Sequence, residues 1–279
     1  MGVLIALFAA ATYGAGDFFG GLAAKRTSVL TVVPVTGLFG LATALIVVPF
    51  LSPHAPSSSD LVLGAIIGVI GAGAIGFLYR GLAIGRMSVV APITAVIAAI
   101  VPVGFGIFTG ERPSPAVVVG IVMALGAVAL VSASSNEDVT GEPEPRRSGI
   151  VEAFAAGVGF GLLYVVLSLT SRGVWPLVAA RCVSVALVAA VALCMRRFSM
   201  PTRGSLATMA VAGSLDMVGN VLYVVALRYT LISVAAVLTS LYPASTVMLA
   251  RIVLKEKLGR LQWIGVACAV AGIALIARG

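Results

Sequence analysis

Charged residues are scarce in this sequence, and their scarcity excludes most classes of water-soluble protein. Only 10% of the 279 residues are Asp, Glu, Lys or Arg, whereas 60% are apolar and the mean hydropathy is +1.15. A soluble domain of this length needs far more polar surface to cover its core. Lipid is therefore the expected solvent, and the expected fold class is an all-α membrane protein.

Residues that bind metals or perform catalysis are equally rare. The chain has one histidine, His54, and three cysteines scattered through apolar runs without ligand spacing or a disulfide framework. It also lacks a phosphate-binding glycine loop and a nucleophile elbow. We therefore predict no enzymatic activity, no metal, no cofactor and no ATP-driven transport by this chain alone.

The positive net charge does not indicate a nucleic-acid partner. The formal charge is +8, but the cations are spread over short loops between apolar runs. A nucleic-acid site would gather them into one patch. The expected partners are the lipid bilayer and a small-molecule substrate; a homodimer is compatible with the sequence, and a monomer suffices.

Long apolar runs make up most of the chain. A helix rises 1.5 Å per residue, so about 20 residues cross a core of about 30 Å. Spans of this length are predicted at 2–23, 28–51, 61–79, 87–109, 115–133, 149–170, 174–194, 204–226, 232–253 and 261–277. The acidic, proline-containing stretch 134–148 reads as a hydrated linker. It separates a first five-helix unit, 1–133, from a second, 149–279.

The two units resemble each other in sequence. A shift of 145 residues aligns 88–131 with 233–276 without a gap, and eleven of the 44 pairs are identical, including Thr94 with Thr239 and Glu111 with Glu256. Five spans is an odd number, so the second unit enters from the opposite face. The prediction is two inverted five-helix repeats, an architecture of secondary transporters whose substrate site lies between the halves.

The distribution of cations predicts the orientation. Thirteen Lys and Arg residues lie in the odd-numbered loops, against four in the even loops and the C-terminus, and Arg181 lies inside a span. This count puts the odd loops in the cytoplasm and both termini outside.

Several motifs resemble the EamA-type transporters of the drug/metabolite transporter superfamily. They are Ala226-Leu227-Arg228-Tyr229, Ser233-Val234-Ala235-Ala236, Leu241-Tyr242-Pro243, Lys255-Glu256-Lys257-Leu258, Gln262-Trp263-Ile264-Gly265 and Ala271-Gly272, with a fainter copy in Gly110-Glu111-Arg112, Gly120 and Gly126. The first half departs from the pattern at Ala98, where the second half has Pro243.

This resemblance covers nearly the whole chain and implies a ten-helix carrier of small organic solutes. Members often export amino acids, metabolites or drugs, commonly by proton coupling or exchange, and are often drawn with cytoplasmic termini, which the cation count contradicts. The expected location is the plasma (inner) membrane of a bacterium. Substrate, transport direction, coupling and oligomeric state are not fixed by the sequence.

Acidic groups inside the spans are the main candidates for the site, because a charge at a helix centre costs roughly 2.5–3.5 kcal/mol. Asp17 lies in the first span, one turn after Tyr13, and Asp216 shares a face of the eighth with Asn220 and Tyr223. A low-dielectric cavity favours the neutral carboxyl, and a substrate or cation restores its charge. This difference would couple proton loss to substrate binding; the alternative is a hydrogen-bonded or salt-bridged carboxylate, with Arg181 as a candidate partner, that only holds helices together.

Other residues receive weaker assignments. Cavity aromatics are expected among Tyr79, Phe160, Tyr164 and Tyr242. Arg181 is expected to extend to the membrane interface more readily than to pair with an acid.

The remaining features are expected to be structural. Glu152, Glu111 and Glu256 fall near helix ends, where a structural role is expected. Small-residue motifs such as Gly64-x-x-x-Gly68 predict close helix contacts, and Pro243 predicts a bend.

Three functional hypotheses remain from the sequence. The first is a secondary carrier, an exporter, with a central cavity between the two units. The second is a passive exchanger or facilitator that needs no titratable acid. The third is an accessory membrane protein that does not transport.

Overall fold

The computed structural model describes residues 1–85, 87–133, 149–196 and 200–254, together with scattered positions between 261 and 275. Every element assigned in these ranges is a helix, as the composition predicts. In chain order they are α1 (Gly2–Ala24), α2 (Val29–Leu51), α3 (Ser58–Ile84), α4 (Met87–Phe108), α5 (Pro115–Ala133), α6 (Ile150–Ser168), α7 (Trp175–Cys194), α8 (Arg203–Ala226), α9 (Ile232–Thr239) and α10 (Tyr242–Leu254).

Six of these helices are long and apolar enough to cross a membrane. The fourth, fifth and ninth predicted spans contain shorter apolar helices. The six are α1, α2, α3, α6, α7 and α8. Large apolar side chains project outward from several helices and are more than half exposed, among them Phe8, Ile46, Phe50, Val62 and Phe154. Such a surface suits hydrocarbon and would be unfavourable in water.

Some predictions fall outside the described residues. These are the linker 134–148, the motif around Glu256 and most of the span 261–277. The positions described in that last span are helical, and Gly272 there lies against the backbone of Gly120 and Ala124 on α5.

The ninth predicted span is two helices instead of one. Helix α9 ends at Thr239 and α10 begins at Tyr242, so Ser240 and Leu241 form a break. Pro243 explains the break, because it has no N–H to donate to the Thr239 carbonyl and fits the first turn of a new helix. The sequence predicts a bend at this proline; the structure has a two-residue break there, within which Ser240 and Leu241 still donate backbone hydrogen bonds to Ala236 and Leu238.

Glycines allow the first three helices of each half to pack closely against the other half. Helix α1 packs on α8, α3 on α6 and α7, and α2 on α7 and α8. A methyl group at Gly64 or Gly68 of α3 would come within 2.5 Å of the Pro176 or Ala180 carbonyl oxygen of α7. The close contact that the Gly64-x-x-x-Gly68 spacing predicts is confirmed, since only a residue without a side chain fits there.

The loops of each membrane face contact one another. We call loops 52–57, 109–114, 169–174 and 227–231 the even-loop face. On it Asp60 accepts hydrogen bonds from the Ser171 backbone N–H (2.9 Å) and hydroxyl (2.7 Å). Arg228 donates from Nε to the Arg172 carbonyl at 3.1 Å, and Arg172 Nη1 donates to the Leu227 carbonyl at 2.6 Å.

The opposite surface, which we call the odd-loop face, has its own contacts. Arg80 at the end of α3 pairs with Glu152 at the start of α6, 3.4 Å apart. The hydroxyls of Thr27 and Ser205 lie 3.0 Å apart. The structural role expected for Glu152 agrees with this ion pair.

Candidate functional site

A cavity lies between helices from both halves of the chain. The empty space among its lining residues, counted together with the open solvent at its mouth, is about 510 Å³. Residues of α1, α3, α6, α7 and α8 line it: Tyr13, Ile67, Gly68, Gly71, Ile75, Phe160, Leu163, Tyr164, Leu177, Ala180, Arg181, Ser184, Asp216 and Asn220. The wall is mainly apolar and aromatic, and its polar groups are concentrated on α7 and α8, with the Tyr13 hydroxyl opposite them.

An ion pair between Arg181 of α7 and Asp216 of α8 dominates the electrostatics of the cavity. Asn220, one turn after Asp216, donates from Nδ2 to the Asp216 carbonyl (2.8 Å) and to its Oδ2 (3.3 Å). The side chains of Arg181 and Asp216 are only 17% and 13% exposed. Gly40 of α2 makes room for the guanidinium, since a methyl there would lie 3.3 Å from Arg181 Nε.

Three tyrosine rings form a connected cluster beside this pair. The Tyr13 and Tyr164 rings meet edge to face with centroids 6.4 Å apart, and Tyr164 and Tyr223 lie 4.5 Å apart. Gly219 of α8 accommodates the Tyr13 ring, which a methyl there would approach to 2.8 Å. The hydroxyls of Tyr13 and Tyr223 are buried, and neither has a partner of full hydrogen-bond geometry among the described residues; the Tyr13 hydroxyl lies beside that of Tyr164. A buried polar group without a partner is unfavourable and points to a ligand or water that it binds.

The structure brings five of the sequence-predicted site residues together around the cavity: Tyr13, Phe160, Tyr164, Asp216 and Asn220. Tyr223 lies behind the wall, stacked on Tyr164.

Asp17, Tyr79 and Tyr242 do not line the cavity. Asp17 is buried in α1 and forms no ion pair within the described part of the chain. The ring of Tyr79 packs against Gly20, and the Tyr242 hydroxyl donates to the Ala91 carbonyl at 3.0 Å.

The expectation that Arg181 extends to the membrane interface is wrong. It points into the cavity and pairs with Asp216, because a permanently charged side chain with a carboxylate in reach loses less by pairing than by remaining alone. Arg181 and Ser184, one turn apart on α7, are therefore site residues that the sequence analysis did not select. The sequence did contain one signal for an ion pair: a single arginine lies inside a predicted span, and few acids lie inside spans to pair with it.

Glu111 has the helix-end role that the sequence favours. Its carboxylate accepts hydrogen bonds from the backbone N–H groups of Ile232 (2.8 Å) and Ser233 (3.2 Å), at the start of α9. An acid at a helix N-terminus satisfies unpaired donors and complements the dipole. The described residues contain no group of three or more His, Cys, Asp or Glu side chains that could hold a metal ion.

Helices of spanning length and outward apolar side chains define a multi-pass integral membrane protein, and a cavity with a few polar groups lies between its helices. The family comparison then identifies the chain further: the model of the EamA-like transporter family matches residues 1–133 and 147–278. The chain belongs to this family of membrane transporters, as the motifs of its second half indicate.

A solved crystal structure, described only as that of a protein, has the same fold. Its identity to this chain is 20%, its TM-score is 0.69, and the match covers 97% of this chain and 98% of that one. No curated protein matches.

Proposed function

We propose that the chain is a secondary transporter that exports small organic metabolites or drugs by alternating access. The observation that carries this proposal is the cavity, because both halves contribute polar groups to it: Tyr13 from the first, and Arg181, Ser184, Asp216 and Asn220 from the second. Helices that only held each other together would gain nothing from a space lined by a charged pair and further polar groups.

The proposal includes two inverted units, 1–133 and 149–279, joined by the linker 134–148. Gly68 on α3 and Gly213 on α8 are 145 residues apart, which is the shift that aligns the sequence repeat. Each glycine faces a carbonyl oxygen on the second helix of the other half, that of Ala180 or Thr36. This equivalence of contacts supports a two-fold relation between the halves.

The starts of the two units support the inversion. Gly2, at the start of α1, lies against Tyr229 and Thr230 of the even-loop face. Glu152, at the start of α6, pairs with Arg80 on the odd-loop face. With both termini outside, as the cation count indicates, the even-loop face is the outer one. Reporter fusions to the C-terminus test this orientation.

Proton coupling is part of the proposal, and Asp216 and Asp17 are its two candidate acids. Asp216 contacts the cavity through its pair with Arg181, so a substrate that disturbs this pair changes the stability of its charged form. Asp17 is buried on the neighbouring helix and could receive the proton without contacting the substrate. Tyr223 supports the cavity from behind through Tyr164.

The decisive experiment is solute flux into proteoliposomes, using amino acids, sugars, nucleosides and organic ions, with and without a pH gradient. We expect at least one solute to move, and its flux to respond to the gradient. Asp216→Asn should abolish the gradient response, whereas Glu152→Gln on the odd-loop face should leave it unchanged. Flux that ignores the gradient and survives both Asp17→Asn and Asp216→Asn would favour a passive facilitator. No flux of any solute would favour an accessory protein.

A further inference from the structure

The unused hydrogen-bonding capacity of the cavity consists mainly of donors. Arg181 has five N–H groups and directs one nitrogen to Asp216. The Tyr13 hydroxyl has no partner of full hydrogen-bond geometry among the described residues, and Ser184 adds a second hydroxyl to the lining. Asp216, in contrast, already accepts from Arg181 and Asn220. A ligand that brings acceptors, such as a carboxylate, satisfies this set of groups better than a ligand that brings donors.

Arg181 and Asp216 differ in whether their charge can be neutralised by a change of protonation. A guanidinium stays protonated in proteins, whereas a carboxylate can take up a proton. If Asp216 takes one proton from the aqueous solution and a carboxylate binds Arg181, the net charge of the site does not change. If a cation binds Asp216, Arg181 loses its partner and cannot lose its own charge. A buried, uncompensated cation is strongly unfavourable.

We propose that the cavity binds small organic anions, namely carboxylates with an aromatic or apolar body, and that each anion binds together with one proton. Arg181 and the Tyr13 hydroxyl hold the solute carboxylate, Asp216 receives the proton, and net cations are excluded. The proposal rests on the transport function above and narrows it: it assigns the substrate class, and it assigns the proton to Asp216 and not to Asp17. Because the anion and the proton then cross in the same direction, export is driven by the outward gradient of the solute itself, and an inward proton gradient opposes it.

The apolar part of the solute has a defined place. Ile67, Ile75, Leu163 and Phe160 form the apolar part of the cavity wall, on α3 and α6, whereas the ion pair belongs to α7 and α8. The Tyr164 ring adds an aromatic face between them and Tyr13. An aromatic body can stack there while its carboxylate reaches α7.

The surroundings of Asp216 contain few other groups that titrate. Arg181 faces it from α7, Tyr13 from α1 and Tyr164 from α6, while α3 contributes only Ile67, Ile75 and glycines to the lining. Gly16 of α1 packs on the Asp216 backbone, so the buried Asp17 beside it is a second carboxyl nearby, although it does not line the cavity. Helix α2 approaches through Gly40, beside Arg181 and the Gly213 carbonyl. The other ion pair among the described residues, Arg80 with Glu152, belongs to the odd-loop face. Asp216 is therefore the lining carboxyl that can take up the proton.

The experiment compares four ligands with one phenyl body and different head groups, measured on the full chain in lipid nanodiscs. They are 3-phenylpropanoate (anion), 3-phenylpropan-1-ol (neutral), 3-phenylpropan-1-amine (cation) and phenylalanine (zwitterion). We expect the anion to bind at least about tenfold more tightly than the alcohol, as charge-assisted hydrogen bonds to a guanidinium allow. The amine should not bind. Binding measurements also avoid the passive permeation of the neutral acid through liposomes.

The pH dependence of binding is a second measurement, because a site that selects ligands by shape alone would not take up a proton with them. Binding of one proton with each anion weakens the apparent affinity by about tenfold for each unit of pH rise above the range in which Asp216 is protonated. Titration calorimetry in buffers of different ionisation enthalpy should give an uptake of one proton per anion. An uptake of zero overturns the proposal.

Variants assign the roles. Asp216→Asn mimics the protonated acid, so anion binding should persist and become independent of pH. Because Arg181 then lacks its charged partner, the double variant Arg181→Gln/Asp216→Asn replaces the whole pair by neutral groups of similar size. It should remain folded and lose at least about tenfold in anion affinity. Arg80→Gln, on the odd-loop face, is the control that should bind normally.

Failure of this inference is distinct from failure of the transport function. Tighter binding of the amine or the alcohol than of the anion overturns the anion class, while flux of any solute in proteoliposomes keeps the carrier. Binding of phenylalanine without 3-phenylpropanoate also overturns it, since a zwitterion can insert between Arg181 and Asp216 without a proton. Loss of pH dependence in Asp17→Asn, but not in Asp216→Asn, overturns the assignment of the proton.

Discussion

At the scale of single residues, two buried tyrosines differ in whether the hydroxyl has a hydrogen-bond partner. This difference distinguishes a residue with a functional role from one that only packs. The Tyr242 hydroxyl donates a hydrogen bond to the Ala91 carbonyl and so connects α10 to α4. Tyr13 lines the cavity with a hydroxyl that has no partner of full hydrogen-bond geometry among the described residues. A satisfied buried hydrogen bond contributes about 0.5–1.5 kcal/mol, whereas an unsatisfied polar group costs about 1–3 kcal/mol.

Tyr13→Phe and Tyr242→Phe should therefore have opposite effects on stability and transport. Tyr13→Phe should leave the thermal unfolding temperature in detergent unchanged or raise it, and should lower solute flux several-fold. Tyr242→Phe should cost about 0.5–1.5 kcal/mol of stability. Its flux per folded molecule should match that of the unchanged protein. Equal loss of flux in both variants would mean that the Tyr13 hydroxyl has no role of its own.

The residues of the site were predictable from sequence only in part. The cost of intramembrane charge selects Asp216, and helical spacing adds Asn220 to its face. Which acid meets Arg181 depends on how α7 packs beside α8, and the sequence contains no local signal for that. Asp17 illustrates the same limit: its chemistry equals that of Asp216, but its side chain does not contribute to the cavity lining.

At the scale of elements, the helices were more predictable than the site because an apolar run bounded by polar loops is a strong local signal. The bounds of α2, α5 and α8 lie within a residue of the predicted spans. Helix α3 begins three residues before its predicted span because Ser57 caps it, accepting from the Asp60 N–H at 3.1 Å, and it continues five residues beyond that span, to Ile84. The break before α10 depends on one proline, whose effect ranges from a bend to an interruption.

Helix α3 allows a matched test of the packing that positions the site. A methyl at Gly68 would come within 2.5 Å of the Ala180 carbonyl, whereas a methyl at Gly73 of the same helix would meet nothing within 4 Å. Gly68→Ala should cost about 1–3 kcal/mol, as overpacking does. Gly73→Ala should be neutral or stabilising, because alanine favours the helix. Thermal unfolding in one detergent compares them, and equal stabilities would contradict the close approach of α3 and α7.

At the scale of the whole molecule, the two membrane faces are closed by contacts of different strength. The even-loop face has several hydrogen bonds to charged side chains, including those of Asp60 with Ser171 and of Arg228 with the Arg172 carbonyl. Backbone strain does not distinguish the faces, because Arg172 on this face and Arg196 on the odd-loop face both have the left-handed conformation, with φ of 57° and 51°. The odd-loop face has the Arg80–Glu152 pair, in which Arg80 is 54% exposed, and such a pair contributes little.

Alternating access requires the contacts of the even-loop face to break when the cavity opens there, and cysteine accessibility can test this. Ser184→Cys puts a thiol in the cavity lining, in a chain whose Cys182, Cys194 and Cys268 are replaced by serine. Loss of the Arg228 bonds in Arg228→Ala should shift the equilibrium toward the open state by about 1 kcal/mol, because these bonds are exposed to solvent, and this is roughly a fivefold increase in its population.

A membrane-impermeant thiol reagent added on the even-loop side should therefore label Ser184→Cys at least several times faster in Arg228→Ala than in the parent. Arg80→Ala breaks the contact of the opposite face, so it should not accelerate labelling from this side. An equal acceleration in both variants would indicate general loosening of the bundle. An unchanged rate in Arg228→Ala would mean that these hydrogen bonds do not control access to the cavity, and that the barrier lies deeper, among the helices around Tyr13 and Tyr164.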